Sequence, residues 1–309
     1  MANFIDPATL MRIKNLEMRA KTVVEGFLSG MHRSPYHGFS VEFTEYRPYT
    51  KGDDPRYLDW KLYARTDRCY IKRFEDETNL RCYLVADRSR SMAYGTRGYT
   101  KADYAATLAA TLAYFLTQQR DAVGLLTFDE QVVELIPARY HHGQLHRLMT
   151  ALEREPAGQA TDLAAPLERI AERVRKRGVI VLVSDLLAPL EALDRNLGYL
   201  RSQGHEVVVF RVLDPAELDF SPGDSAQFRD LESGKIMYVD PAAMQREYRR
   251  RFGEHAAALE TTCANLGIDL RTLTTDQPLE IALFDYLYVR QRRGRQVLRS
   301  GGSSSRGAQ

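Results

Sequence analysis

Asp87, Ser89 and Ser91 stand at alternate positions in "YLVADRSRSMAYG" (83–95), directly after an apolar run. Alternate residues leaving a strand end project to one side, so a carboxylate and two hydroxyls can converge on one point. Two more oxygens occupy comparable places: Thr161 opens a helical pattern in "GQATDL", and Asp185 closes the run "VIVLVSD". Oxygen donors without His or Cys suit a hard cation, Mg²⁺ or Mn²⁺, with a near-octahedral shell. If the hydroxyls bind directly and the aspartates act partly through water, the ion keeps much of its charge and an open position. That position favours an incoming carboxylate, so the expected chemistry is docking of a partner's acidic side chain. The expected metal ligands are therefore Asp87, Ser89, Ser91, Thr161 and Asp185. Arg88 and Arg90 alternate with them, placed either to steer an acidic partner or simply to face solvent.

Other chemistries fit less well. A metal-dependent phosphohydrolase is the alternative function, since an aspartate ends a strand beside a Mg²⁺-type loop. Its haloacid-dehalogenase form needs a second carboxylate two residues later, where this chain has Ser89. His141, His142 and His146 invite a zinc reading, with 142 and 146 on one helix face. Gly143 stands where the metalloprotease pattern H-E-x-x-H requires Glu. "GTRGYTK" (95–101) lacks the spacing of a phosphate-binding P-loop.

The oxygens need a scaffold, and the pattern from Arg81 onward supplies one. Apolar strands are expected at 82–87, 121–129, 131–137, 178–185, 205–214 and 268–276. Helices are expected at 101–119, 141–155, 161–177, 190–203 and 241–266, with a short one after the last strand. Continuous Val/Ile/Leu runs separated by helices predict a doubly wound, mostly parallel α/β sheet with helices on both faces. Ligands of such sheets lie outside the carboxyl ends of the strands. Residues 8–30 carry apolar positions at helical spacing and read as one amphipathic helix. Residues 31–81, rich in tyrosine and turn signals, read as short antiparallel strands. The expected divisions are an N-terminal helix (1–30), a β-rich segment (31–80), an α/β domain (81–289) and a basic, disordered tail (290–309).

Bulk composition sets limits. The chain has 309 residues, enough for a sizeable core. Forty-three basic residues against 41 acidic ones give no overall attraction to polyanions, so nucleic acid is not an expected partner. The six arginines after residue 289 are the one basic run, read as solvated tail. No signal peptide or membrane span is expected. Cys69, Cys82 and Cys263 lack C-x-x-C spacing and suggest a reducing compartment, hence the cytoplasm.

The five oxygens in their strand and helix context resemble the metal-ion-dependent adhesion site (MIDAS) of von Willebrand factor A domains. The upstream segment 38–77 resembles the signature of the bacterial family called domain of unknown function 58. Its matching residues are Glu42, Phe43, Arg47, Tyr49, Gly52, Asp53, Asp54, Arg56, Asp59 and Trp60. The resemblance covers roughly residues 25–275. It implies a von Willebrand A-like fold and a partnership with a MoxR-type AAA+ ATPase, a client protein, or both; no enzymatic activity is established for that family, and none is expected here. Many relatives carry transmembrane helices. Arg47, Asp53, Asp54, Arg56, Asp59 and Trp60 are then either a turn network around a core tryptophan or an interface; Arg88 and Arg90 are the other interface candidates.

Overall fold

In the computed structural model, which describes residues 4–33, 45–48, 70–73, 80–129, 131–154, 164–174, 176–218, 220, 227–229, 236–238 and 241–289, the apolar runs become strands, the four central ones buried on both faces. The chain begins with α1 (Pro7–Leu10) and α2 (Leu16–Arg33). A short antiparallel pair follows, β1 (Glu45–Pro48) with β2 (Tyr70–Arg73). The α/β part runs β3 (Arg81–Asp87), α3 (Lys101–Gln118), β4 (Ala122–Phe128), β5 (Val132–Arg139), α4 (Gln144–Leu152), α5 (Ala164–Arg173), β6 (Val179–Ser184), α6 (Leu190–Ser202) and β7 (Glu206–Leu213). Then come α7 (Pro215–Leu218), the antiparallel pair β8 (Gln227–Arg229) and β9 (Ile236–Tyr238), α8 (Pro241–Asn265) and β10 (Asp269–Thr274). A last helix, α9, covers 279–289.

Six strands form the main sheet in the order β10-β7-β6-β3-β4-β5. All neighbours are parallel except β4 and β5, which form an antiparallel edge. The architecture is the expected α/β class, a mostly parallel sheet flanked by helices. Strand alternation divides the core cleanly. Leu84, Leu125, Val181, Phe210 and Leu273 face α2, α3, α4 and α9. Val85, Leu126, Leu182 and Val209 face α5, α6 and α8.

The N-terminal region corrects the reading of 8–30 as one helix. Asp6 accepts the Thr9 amide at 3.0 Å and starts α1, which ends after one turn. Asn15 then accepts the Met18 amide at 2.8 Å and starts α2 afresh. Both caps outweigh the continuous apolar spacing that spans them. Ala20, Val23, Val24 and Phe27 are fully buried, and α2 packs on α3.

Topology fixes where a ligand would lie. The chain adds β4 and β5 on one side of β3, then crosses to add β6, β7 and β10 on the other. The order reverses between β3 and β6, and a crevice opens at the carboxyl ends of strands where that happens. Asp87 ends β3 and Ser184 ends β6.

Candidate metal centre

β3 delivers Asp87 to the crevice with no solvent exposure, and both carboxylate oxygens are engaged. Oδ1 accepts the Ser89 amide at 2.8 Å, and Oδ2 accepts the Ser184 hydroxyl at 2.5 Å. The Arg88 amide donates to the Phe128 carbonyl at 2.7 Å, extending the ladder with β4 by one residue. The chain then turns: Ser89 caps a single 3₁₀ turn, Arg90–Ala93. That turn brings Ser89 Oγ within 3.1 Å of Ser91 Oγ. Alternation at a strand end thus gathers Asp87, Ser89 and Ser91. Ser89 is buried, whereas Ser91 is half-exposed and marks the open side.

Electrostatics at this point are unfavourable without a cation. Burial, and then the nearby Asp185 carboxylate, push the Asp87 carboxyl up to about 7, against the hydrogen bonds from Ser184 and Ser89. A divalent ion would reverse that balance.

Asp185 follows β6 and is also fully buried. Leu186 takes a left-handed φ of 55°, an uncommon conformation for a branched residue that stores strain of roughly 1–3 kcal/mol. Two side chains hold it there. The Leu186 amide donates to Ser184 Oγ at 3.0 Å, and the Leu187 amide to Asp185 Oδ1 at 3.2 Å. The other carboxylate oxygen, Oδ2, accepts the Lys101 ammonium at 2.9 Å. Lys101 also donates to Glu217 Oε1 at 2.6 Å, and Arg211 Nε donates to the Asp185 carbonyl at 3.2 Å. Burial alone would lower the Lys101 pKa; Asp185 and Glu217 outweigh it and hold the group raised.

The donor set suits a hard cation. Asp87, Ser89 and Ser91 offer one carboxylate and two hydroxyls at the end of β3, with Asp185 just past the end of the neighbouring β6. Among the described residues, no three His, Cys, Asp or Glu side chains cluster as ligands. An ion here would therefore depend on the serine hydroxyls. Thr161 lies outside the described residues, as do Asp53, Asp54, Arg56, Asp59 and Trp60; of Arg47 the backbone alone is described, within β1.

Two expectations need correction. Arg88 does not face an incoming partner: its side chain is buried, and its guanidinium donates to the Leu152 carbonyl at 2.8 Å. Its outward place in the alternation is overridden by the carbonyl of the last residue of α4, a position that lacks an intrahelical partner. Arg90 is exposed. His142 shares no helix face with His146, because α4 starts at Gln144 behind a left-handed Gly143.

Ser184, Lys101 and Glu217 escaped the sequence reading. Ser184 is the lone hydroxyl in a fully apolar strand, and Lys101 the lone cation on a helix of alanines and leucines. Both were visible as misfits. Glu217 carries no comparable signal.

Similarity to known proteins can be set beside this geometry. The family model described as "Protein of unknown function DUF58" matches residues 45–262. An uncharacterized protein of Mycobacterium tuberculosis is 30% identical over 277 residues, covering 88% of this chain and 86% of the relative. An aerotolerance-related membrane protein from Bacteroides fragilis shares 17% identity at a TM-score of 0.44, over 65% of this chain and 96% of that one. The SpRpn10 VWA domain shares 12% identity at a TM-score of 0.38, over 66% of this chain and 93% of that domain.

Proposed function

This chain belongs to the DUF58 family, whose function is unknown, and from that premise we propose that it is a non-enzymatic, metal-dependent protein-interaction module. Its adhesion-type site would hold Mg²⁺ or Mn²⁺ through Asp87, Ser89, Ser91 and Asp185, with Thr161 as a fifth ligand. The bound ion would supply an open coordination position for a carboxylate of the partner. The partner is a MoxR-type AAA+ ATPase, a client protein, or both, and the chain acts as an adaptor or co-chaperone in the cytoplasm. Among the described residues, no helix is long and apolar enough to cross a membrane.

One observation carries the reading. Asp87, Ser89 and Ser91 converge at the strand-order reversal, with Ser89 Oγ and Ser91 Oγ 3.1 Å apart. The chain's own residues do simple things there. Ser184 and the Ser89 amide orient the Asp87 carboxylate, and Asp185, just past β6, lies near enough to act on its charge. Asp87, Ser89 and Asp185 are fully buried, which strengthens any charge interaction among them.

The test is direct binding of the purified protein to a MoxR-type ATPase from the same cell, in Mg²⁺ and in chelator. Binding should require Mg²⁺ and be lost in Asp87→Ala and Ser89→Ala. Equal affinity in every case defeats the reading.

A further inference from the structure

We propose that Lys101 is a tethered counter-cation that competes with the divalent ion for Asp185. Its ammonium holds that carboxylate in the metal-free protein, yields it when the ion binds, and stays on Glu217. The inference rests on the reading of Asp87, Ser89 and Ser91 as a metal site.

Three features single out Lys101. First, its side chain is fully buried, which lysine almost never tolerates unless paired. The pairing is double: 2.9 Å to Asp185 Oδ2 and 2.6 Å to Glu217 Oε1. Second, Lys101 is the first residue of α3, where the helix dipole opposes a cation. The helix start does not need it, because Thr100 and Asp103 form a complete capping box. A desolvated cation at the wrong end of a helix is costly, and the two carboxylates are what it reaches. Third, both Asp185 oxygens already hold donors. Oδ1 takes the Leu187 amide and Oδ2 takes Lys101, so an ion drawn to this carboxylate meets the positive ammonium already seated there.

Glu217 makes the exchange feasible. Its Oε2 accepts the Asp214 amide at 2.7 Å, and Asp214 in turn accepts the Thr96 amide and hydroxyl at 2.9 and 2.7 Å. Glu217 is thereby fixed and keeps one partner for the ammonium, a three-donor group, after Asp185 turns away. The positive charge remains near the centre in either state, so metal affinity is set lower than the oxygen set alone would give.

The experiment titrates Mn²⁺ into the full chain, following free ion by electron paramagnetic resonance. Lys101→Met should bind Mn²⁺ at least ~10-fold tighter than wild type, since a unit charge a few ångströms away is removed. Lys101→Met/Glu217→Gln spares Glu217 an unpaired burial and should retain the gain. A folded double variant with equal or weaker Mn²⁺ affinity overturns the inference. Nuclear magnetic resonance of the buried lysine ammonium in the unmodified chain needs no variant. Saturation with Mg²⁺ should shift the Lys101 signal, and an unmoved signal also overturns the inference. If wild type takes up no Mn²⁺, or Asp87→Ala and Ser89→Ala bind it like wild type, the metal-site reading itself falls and takes this inference with it. Wild-type uptake that needs Asp87 yet ignores Lys101 defeats only the inference.

Discussion

Ser184 donates its hydroxyl to Asp87 Oδ2 across 2.5 Å, between the ends of adjacent parallel strands and away from water. The register makes this contact inevitable, because Ala86 pairs with Val183 one residue earlier. Ser184 also accepts the Leu186 amide, so one hydroxyl supports both the first carboxylate and the strained turn after β6. Ser184→Ala leaves a buried carboxylate oxygen and a buried amide short of partners. It should cost about 1–3 kcal/mol in urea unfolding, whereas Ser184→Thr, which keeps the donor, should cost less. An unchanged midpoint for Ser184→Ala removes the role.

Asp87 gives the metal-free protein a pH dependence. Its pKa is raised to about 7 in the folded chain, against roughly 3.9 for an unfolded aspartate. Between those values the folded state binds more protons, so this group's contribution to stability falls as pH rises and levels off above about 7. Asp87→Asn should remove that slope in thermal melts run in chelator. Divalent ions need the carboxylate form, so their affinity should climb with pH up to about 7 and then flatten. Parallel stability profiles for wild type and Asp87→Asn defeat the assignment.

Gly95 lies between the serine loop and α3. A Cβ there would overlap the Tyr99 carbonyl and sit 2.8 Å from Thr100 Cα. The Tyr94 carbonyl, next to it, accepts the Lys101 amide at 2.8 Å. Gly95→Ala therefore pushes on the start of α3 and should destabilise by roughly 1–3 kcal/mol. Gly253, in α8, has open space around its Cβ position, and Gly253→Ala should stabilise by about 0.5–1 kcal/mol through helix propensity. Equal effects of the two substitutions would contradict this account.

The centre of the sheet was legible because burial on both faces leaves its mark on every residue of a strand. "VIVLVS" and "CYLVAD" can be little else, and the expected strands lie within a residue or two of the observed ones. The serine loop was legible for a related reason, since polar oxygens at a strand end break an apolar run at a countable position. Register was not legible. Nothing in the sequence says that β3 and β6 align Ser184, rather than Asp185, against Asp87. Long-range ion pairing was equally hidden: Lys101 meets Asp185 and Glu217 across 84 and 116 residues. The division of 8–30 into two helices was legible in principle, in Asp6 and Asn15, but the apolar periodicity continues across the break and masks it.

Phe27 tests whether α2 belongs to the core that holds the site. Its ring is fully buried, 4.6 Å from that of Phe284 on α9 and 6.2 Å from that of Phe115 on α3, both edge-on. It thus locks α2 between the last helix and the helix whose first residue is Lys101. Truncation leaves a cavity among aromatic rings that backbone movement cannot easily close. Phe27→Ala should cost about 3–5 kcal/mol. Met18, on the same helix, is 61% exposed, and Met18→Ala should change stability by no more than about 0.5 kcal/mol. A loosened α2 also frees α3 to shift against the sheet, so Phe27→Ala should broaden or move the Lys101 ammonium resonance while Met18→Ala leaves it in place. Should both substitutions cost the same small amount, α2 is an appendage and the site rests on the sheet alone.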